Sequence, residues 1–317
     1  MVTRHDIDAA RERIAGRVHR TPLFTSEALA RRTGIAHLAL KCENLQKTGS
    51  FKVRGALNLL SQLSDDAKKR GVVSVSAGNH AQAIAWGAAA ADVKCTVVMP
   101  AAASQAKVDA SRGYGANIIL HGTGAEAFAK AFELSESEGF TFVHPFDDDR
   151  IIAGAGTAGT ELLEQCETVP DIVVVPIGGG GLISGIAVAI KENSPGTRVI
   201  GVEPTGAAVM RQSLDAGHAT RMTAMSTLAD GLAAPMAGER NFAIVQKYVD
   251  DVVLVTDDEI ADAMRALMQR CKLVTEPAGA ASMAAILNRR FPMKARDRVV
   301  ALVSGGNVDL ERLKTLI

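Results

Sequence analysis

Apolar and polar positions alternate along this chain with two periods, and the alternation lays out most of the fold. Ile7, Ala10 and Ile14 fall on one face of a helix over residues 4–16. Residues 21–23 read as a turn or extended connector around Pro22, and residues 38–42 as a strand. A polar loop then leads into a helix-like run over 56–63. From residue 72 the pattern becomes regular. Strands at 72–75, 95–99, 117–120 and 140–143 alternate with helices at 81–91, 104–112 and 124–136. A second series follows, with a helix at 157–166 and a strand at 171–176 that is nearly all apolar, as central parallel strands are. A helix then runs to 191, a strand spans 198–202, helices span 207–216, 257–270 and 278–287, and a last strand spans 299–303. Strand and helix in alternation predict an α/β fold with open parallel sheets in two lobes. The expected small lobe, residues 71–141, is inserted into a large one made of 1–70 and 142–317. Ligands of such sheets bind at the carboxyl ends of the strands, so the cleft between the lobes is the expected site.

Composition narrows the function classes. The chain has 317 residues, 47% of them apolar and 22% charged, which fits a folded globular protein. Lys and Arg number 35, Asp and Glu also 35, and this balance argues against nucleic acid as a partner. The four cysteines, Cys42, Cys95, Cys166 and Cys271, are scattered without a paired spacing. That pattern indicates buried thiols in a reducing compartment rather than disulfides or zinc. No run reaches membrane-spanning length and the N-terminus does not read as a signal peptide, so the expected location is the cytoplasm.

Four stretches carry candidate chemistry. Lys52 lies after Gly49 and Ser50, which suit a turn and a helix N-cap. A helix start disfavours a cation and so favours a neutral, nucleophilic amine, although a solvated surface lysine is the ordinary alternative. The loop Ser76-Ala77-Gly78-Asn79-His80 joins a strand to a helix, where backbone N–H groups suit a carboxylate; a plain capped turn fits equally well. Gly178, Gly179, Gly180 and Gly181, followed by Leu182, open a helix after a buried strand, and phosphate is the expected ligand. The run departs from the dinucleotide pattern, since Ser184 stands where its third glycine belongs. Glu203, about twenty residues on, nevertheless keeps a nucleotide-dependent oxidoreductase open as an alternative. Ser304-Gly305-Gly306-Asn307 closes the last strand, with a hydroxyl that could meet a ring nitrogen.

A reactive lysine, a phosphate cup, a carboxylate loop and a polar ring partner together describe a pyridoxal-phosphate site. The chain resembles the threonine/serine dehydratase and serine racemase family, of the tryptophan-synthase-β-like fold (fold type II), over nearly its whole length. The residues that carry the resemblance are Ser50-Phe51-Lys52-Val53-Arg54-Gly55-Ala56, Ser76-Ala77-Gly78-Asn79-His80-Ala81-Gln82, the four glycines and Ser304-Gly305-Gly306-Asn307. The resemblance implies that Lys52 forms the Schiff base with the cofactor and later removes the α-proton. It implies that Phe51 packs beside the ring and Gly231 covers its other face, that Asn79 bonds the ring hydroxyl, that residues 178–182 hold the phosphate, and that Ser304 faces the pyridine nitrogen. Ser76, Ala77, Gly78, Asn79 and His80 would border the substrate, an amino acid. A homodimer or homotetramer is also implied.

Two departures from the family pattern shape the expected activity. Racemising members carry a serine where this chain has Ala77, so dehydration of L-threonine or L-serine should dominate. The racemase-like metal site pairs a glutamate with an aspartate; Glu203 matches but Val209 stands in for the aspartate, so no metal is expected. Longer members carry a regulatory C-terminal domain that the sequence to Ile317 does not include, and isoleucine feedback is not expected. Within the family, threo-3-hydroxyaspartate dehydration and serine racemisation remain the alternatives, and a non-catalytic ligand sensor is a further one.

Overall fold

Short runs of β-branched residues, buried on both faces, set the framework. In the computed structural model, which describes residues 1–317, ten strands form: β1 (Leu23–Thr25), β2 (His37–Cys42), β3 (Val72–Val75), β4 (Cys95–Met99), β5 (Asn117–Leu120), β6 (Thr141–Val143), β7 (Ile172–Pro176), β8 (Arg198–Pro204), β9 (Asp251–Val255) and β10 (Arg298–Val303). Every residue of β4 and β7 is buried, as a strand covered by helices on both faces requires. Six strands make one sheet in the order β1-β2-β10-β7-β8-β9, parallel except for the antiparallel edge strand β1. The other four make a parallel sheet in the order β5-β4-β3-β6.

Three main apolar clusters hold these sheets. One packs the helices Asp257–Ala266 and Pro277–Leu287 on one face of the larger sheet, through residues such as Ile260, Met264, Met283 and Ile286. Another packs the helix Gly181–Asn193 on the opposite face, through Ile183, Ile186 and Ile190. The third joins the small sheet to the helix Lys52–Leu60: Val53, Leu57 and Leu60 share a core with Val72, Ile84 and Val97. The core of the small sheet therefore takes in residues on the N-terminal side of the expected boundary at 71.

Several elements differ from the sequence-based expectation, each for a local reason. The helix at Asp149–Gln165 starts well before residue 157, capped by Asp148. Its glycines read as breakers but serve close helix packing: a Cβ on Gly154 would lie 2.6 Å from the Arg54 carbonyl oxygen, and one on Gly156 would lie 2.9 Å from that of Gly185. Strands β1 and β9 and the helices Glu27–Thr33, Asp65–Arg70 and Glu239–Tyr248 were not anticipated. They are short, polar or at an edge, where the apolar period is weak. The helix from Asp257 ends in a π-helical turn, Leu267–Cys271, before Lys272 takes a left-handed backbone. No helix is long and apolar enough to cross a membrane.

Candidate active site

The site is built where strand ends of both sheets meet. Lys52 is the first residue of its helix. The residue at the N-cap is Phe51, not Ser50. Ser50 stays extended and bridges Gly305 through its backbone, so its hydroxyl caps nothing. The Phe51 N–H donates to the Ser304 carbonyl at 3.1 Å, which fixes the start of the helix against the end of β10. The half-buried Lys52 amine donates to the carbonyl of Pro145 at 2.9 Å and lies 5.2 Å from the centre of the Phe51 ring. Desolvation lowers its pKa from 10.5 to about 8, with the buried Glu276 carboxyl pulling the other way. A much larger share of this amine is therefore neutral near neutral pH than of an ordinary lysine.

The glycine run follows β7 and opens the helix Gly181–Asn193 with no side-chain cap. Two of its members must be glycine. Gly180 has φ +100°, and a Cβ there would lie 2.7 Å from Cβ of Asn241; a Cβ on Gly179 would lie 2.4 Å from the ring of Phe146. Asn241 fastens the loop by donating to the carbonyls of Phe146 (3.0 Å) and Gly179 (3.1 Å). No N–H group of residues 178–183 finds a turn, loop or cap partner. A tight backbone cradle with unpaired donors at a helix N-terminus is the geometry a phosphate group fits.

On the other side, Asn79 begins the helix Asn79–Ala89 and holds a polar cluster together. Its amide donates to Glu276 Oε1 at 2.6 Å, and its oxygen accepts from Asn307 at 2.8 Å. Asn307 donates as well to the Thr48 carbonyl at 2.7 Å. Burial raises the Glu276 carboxyl from 4.5 to about 7, against the bond from Asn79. Glu276 precedes the helix Pro277–Leu287 but does not cap it with its side chain. Ser304 is buried, its hydroxyl 3.4 Å from the Ala278 carbonyl at the start of that helix. A Cβ on Gly231 would touch Ala278 at 3.0 Å, and Gly231 O would lie 3.4 Å from a Cβ on Gly178. A chain of neighbours thus runs from Lys52 through Pro145, Phe146 and the glycine run to Gly231, Glu276, Asn79 and Asn307, and back through Thr48 to the Lys52 loop.

The carboxylate loop divides its roles. The Ser76 hydroxyl accepts the Gly78 N–H at 3.1 Å, and the helix beyond Gly78 has no side-chain cap. Ala77, Gly78 and Asn79 are half-buried. The His80 ring turns instead to Ser74, Nε2 to Oγ at 2.9 Å, while that hydroxyl donates to the Val143 carbonyl at 2.6 Å. The single Ser74 proton is thereby committed, so His80 carries its proton on Nε2, and its buried Nδ1 has no partner. Burial holds the imidazole well below its ordinary pKa of 6.5. What His80 offers an anion is its backbone N–H, not its ring.

Glu203 is spent elsewhere. Its two oxygens accept the N–H groups of Met210 and Arg211, each at 2.8 Å, at the start of the helix Val209–Ala216, beside the buried Val209. Burial raises this carboxyl from 4.5 to about 8 against those two bonds. Glu203 is fully buried and turned onto these two N–H groups, so it presents no oxygen to a ribose in the cleft, and the nucleotide-dependent oxidoreductase loses its basis.

Glu276, Asn241, Phe146 and the Pro145 carbonyl were missed by sequence reasoning. Only Glu276 left a signal, as an acid placed directly before a proline at a helix start, where side-chain capping is common and here does not occur.

The profile of the family described as pyridoxal-phosphate dependent enzyme matches residues 14–305. An L-threonine ammonia-lyase of Thermotoga maritima is 45% identical over 318 residues, covering 100% of this chain and 78% of that protein. Among solved structures, a threonine deaminase from T.th. superposes with a TM-score of 0.91 at 43% identity, over 97% of this chain and 99% of that one. The serine racemase of Dictyostelium discoideum superposes with a TM-score of 0.91 at 40% identity, over 98% and 99%. The phosphate-shaped cradle, the desolvated lysine and these matches have one reading: the chain belongs to the family of pyridoxal-phosphate dependent enzymes.

Proposed function

We propose that this enzyme is a dehydratase that converts L-threonine, and L-serine as a second substrate, to a 2-oxo acid and ammonia. The observation that carries the reading is the Lys52 amine at the start of its helix, desolvated to about 8 and bonded to the carbonyl of Pro145, whose neighbour Phe146 lies against the glycine cradle. The names and 43–45% identities of its threonine ammonia-lyase and threonine deaminase relatives support the same substrate.

Bound pyridoxal phosphate supplies the electron sink that makes the α-proton of an amino acid removable. The free N–H groups of residues 178–182 would hold its phosphate. Phe51 and Gly231 would pack against its ring, Asn79 would bond the ring hydroxyl, and Ser304 would offer the pyridine nitrogen a neutral hydroxyl rather than a carboxylate. The N–H groups of the 76–80 loop receive the substrate carboxylate. Lys52 would hold the cofactor, and its amine, once free, would accept the α-proton. The β-hydroxyl leaves as water, and hydrolysis yields the 2-oxo acid and ammonia. Ala77 places no hydroxyl in the substrate loop, so racemisation is a minor outcome. The four cysteines are free thiols, in keeping with a cytoplasmic setting, and assembly as a homodimer or homotetramer completes the reading.

The test is 2-oxo acid release from L-threonine, L-serine and threo-3-hydroxyaspartate, with Lys52→Ala as control. Threonine should be the best substrate, and the variant should lose at least about 10³-fold in rate. Preference for the dicarboxylic substrate, or wild-type turnover in the variant, would overturn the assignment.

A further inference from the structure

Six Lys, Arg, Asp and Glu side chains are buried in this protein, and four of them meet in one place: Lys41, Glu43, Arg54 and Glu161. The Arg54 guanidinium holds Glu43 with two parallel bonds, Nε to Oε2 and Nη2 to Oε1, both 2.8 Å. It also reaches Glu161 at 3.2 Å. Lys41 completes the set, donating to Glu161 at 2.5 Å and to the Thr21 carbonyl and Gln165 at 2.8 Å. No other ion pair in the protein has both partners buried. Two cations and two carboxylates balance, but each loses its hydration. A buried ionic set of this kind brings little or no stability over apolar residues of the same volume.

The position of the set suggests another role. Arg54 lies two residues after Lys52 in the same helix. Glu43 directly follows β2, whose Cys42 pairs with Val303, the residue before Ser304. Glu161 belongs to the helix Asp149–Gln165, which starts just past Pro145, the acceptor of the Lys52 amine. That helix and the Lys52 helix touch backbone to backbone: a Cβ on Gly55 would lie 2.9 Å from the Ile151 carbonyl oxygen. Smooth backbone contact lets helices slide and rotate. A planar guanidinium gripped by carboxylates from two other elements does not.

We propose that Arg54 is a positioning residue: through its grip on Glu43 and Glu161 it fixes the rotation of the Lys52 helix, and with it the direction of the Lys52 amine. The role rests on Lys52 as the reacting amine. It predicts that loss of the grip costs turnover without costing fold.

Two variants test it. Arg54→Lys keeps a cation facing both carboxylates but cannot form the parallel bonds. A combined variant, Lys41→Met, Glu43→Leu, Arg54→Met, Glu161→Leu and Thr21→Val, removes every charge together with the Thr21 hydroxyl that Glu43 accepts from. In both holoenzymes kcat should fall by about 10–100-fold, as for a misplaced reacting group, while KM stays within about threefold. Borohydride should fix the cofactor on Lys52 more slowly than in the parent. The thermal midpoint of the combined variant should equal or exceed the parent's. Parental kcat and trapping rate in a folded variant would overturn the proposal. So would a loss of rate that only tracks the folded fraction, or failure of both variants to fold. A parent that borohydride labels at another residue would defeat the Lys52 reading instead, and is seen before any variant is made.

Discussion

The glycine cradle and the Asn79 cluster are joined through Gly231, which neighbours both Gly178 and Glu276, and they are built in opposite ways. The cradle is four consecutive residues whose backbone N–H groups are left without partners, hemmed in from outside by Phe146 and Asn241. The cluster is made of side chains from segments far apart in sequence, Thr48, Asn79, Glu276 and Asn307, joined by hydrogen bonds of 2.6 to 2.8 Å. A backbone site tolerates no added side chain but is indifferent to pH. A side-chain site tolerates small changes of shape but contains a carboxyl that titrates near neutrality. Substitutions should separate the two accordingly.

The largest effect belongs to the cradle. Gly180→Ala adds a Cβ at φ +100° against Asn241, a strain of about 1–3 kcal/mol before any loss of fit. Cofactor affinity, read by absorbance titration of the apoenzyme, should fall at least about 100-fold by those two effects together. Binding within threefold of the parent would show that the loop is not the phosphate site. Asn241→Ala should come next. It leaves the Phe146 and Gly179 carbonyls short of a donor, which costs about 1–3 kcal/mol of stability, and cofactor affinity should drop about tenfold. If urea unfolding and titration both match the parent, the fastening role is wrong.

The cluster should respond to pH instead. Glu276 is raised from 4.5 to about 7 in the folded chain. A raised carboxyl contributes stability fully below 4.5 and loses it as pH climbs through about 7, a swing of roughly 3 kcal/mol for this shift. Glu203 adds a similar slope, so the comparison of interest is parent against Glu276→Gln, both without cofactor. The gap between their urea-unfolding free energies should change across pH 4.5–7 and be flat above about 8. A constant gap would show that Glu276 does not titrate there. The smallest effect is at Ala77, half-buried in the substrate loop. Ala77→Ser should raise D-serine formation from L-serine severalfold while threonine dehydration stays within about threefold, since a surface-loop change of this kind alters little else. D-serine at the parent's level, by chiral chromatography, would remove that face from the loop's control.

The same contrast decides what could be read from the sequence. The cradle was legible because its residues are adjacent and lie between a strand and a helix of clear period. Lys52, Asn79 and Ser304 stand out as candidates because each lies in a contiguous motif. The cluster was not legible, because Glu276 lies 197 residues beyond Asn79 and meets it only when a helix start packs beside the end of β10. The helix start at Asp149 was hidden by glycines whose purpose, contact with the Lys52 helix at Gly154 and with the helix Gly181–Asn193 at Gly156 and Gly159, exists only in three dimensions. The ring direction of His80, expected beside the substrate, depends on Ser74 and Val143, which no local pattern connects to it. Strand β9 escaped notice because an edge strand, with acids at its start, alternates poorly.

On the function proposed above, the Lys52 amine is the group that carries the cofactor and does the chemistry. Borohydride reduction of the holoenzyme, followed by proteolysis and mass spectrometry, addresses it directly. The account predicts one phosphopyridoxyl label per chain, on the peptide containing Lys52, with none in Lys52→Ala. A label on Lys47, Lys41 or any other lysine, or equal labelling of the Lys52→Ala protein, would contradict it.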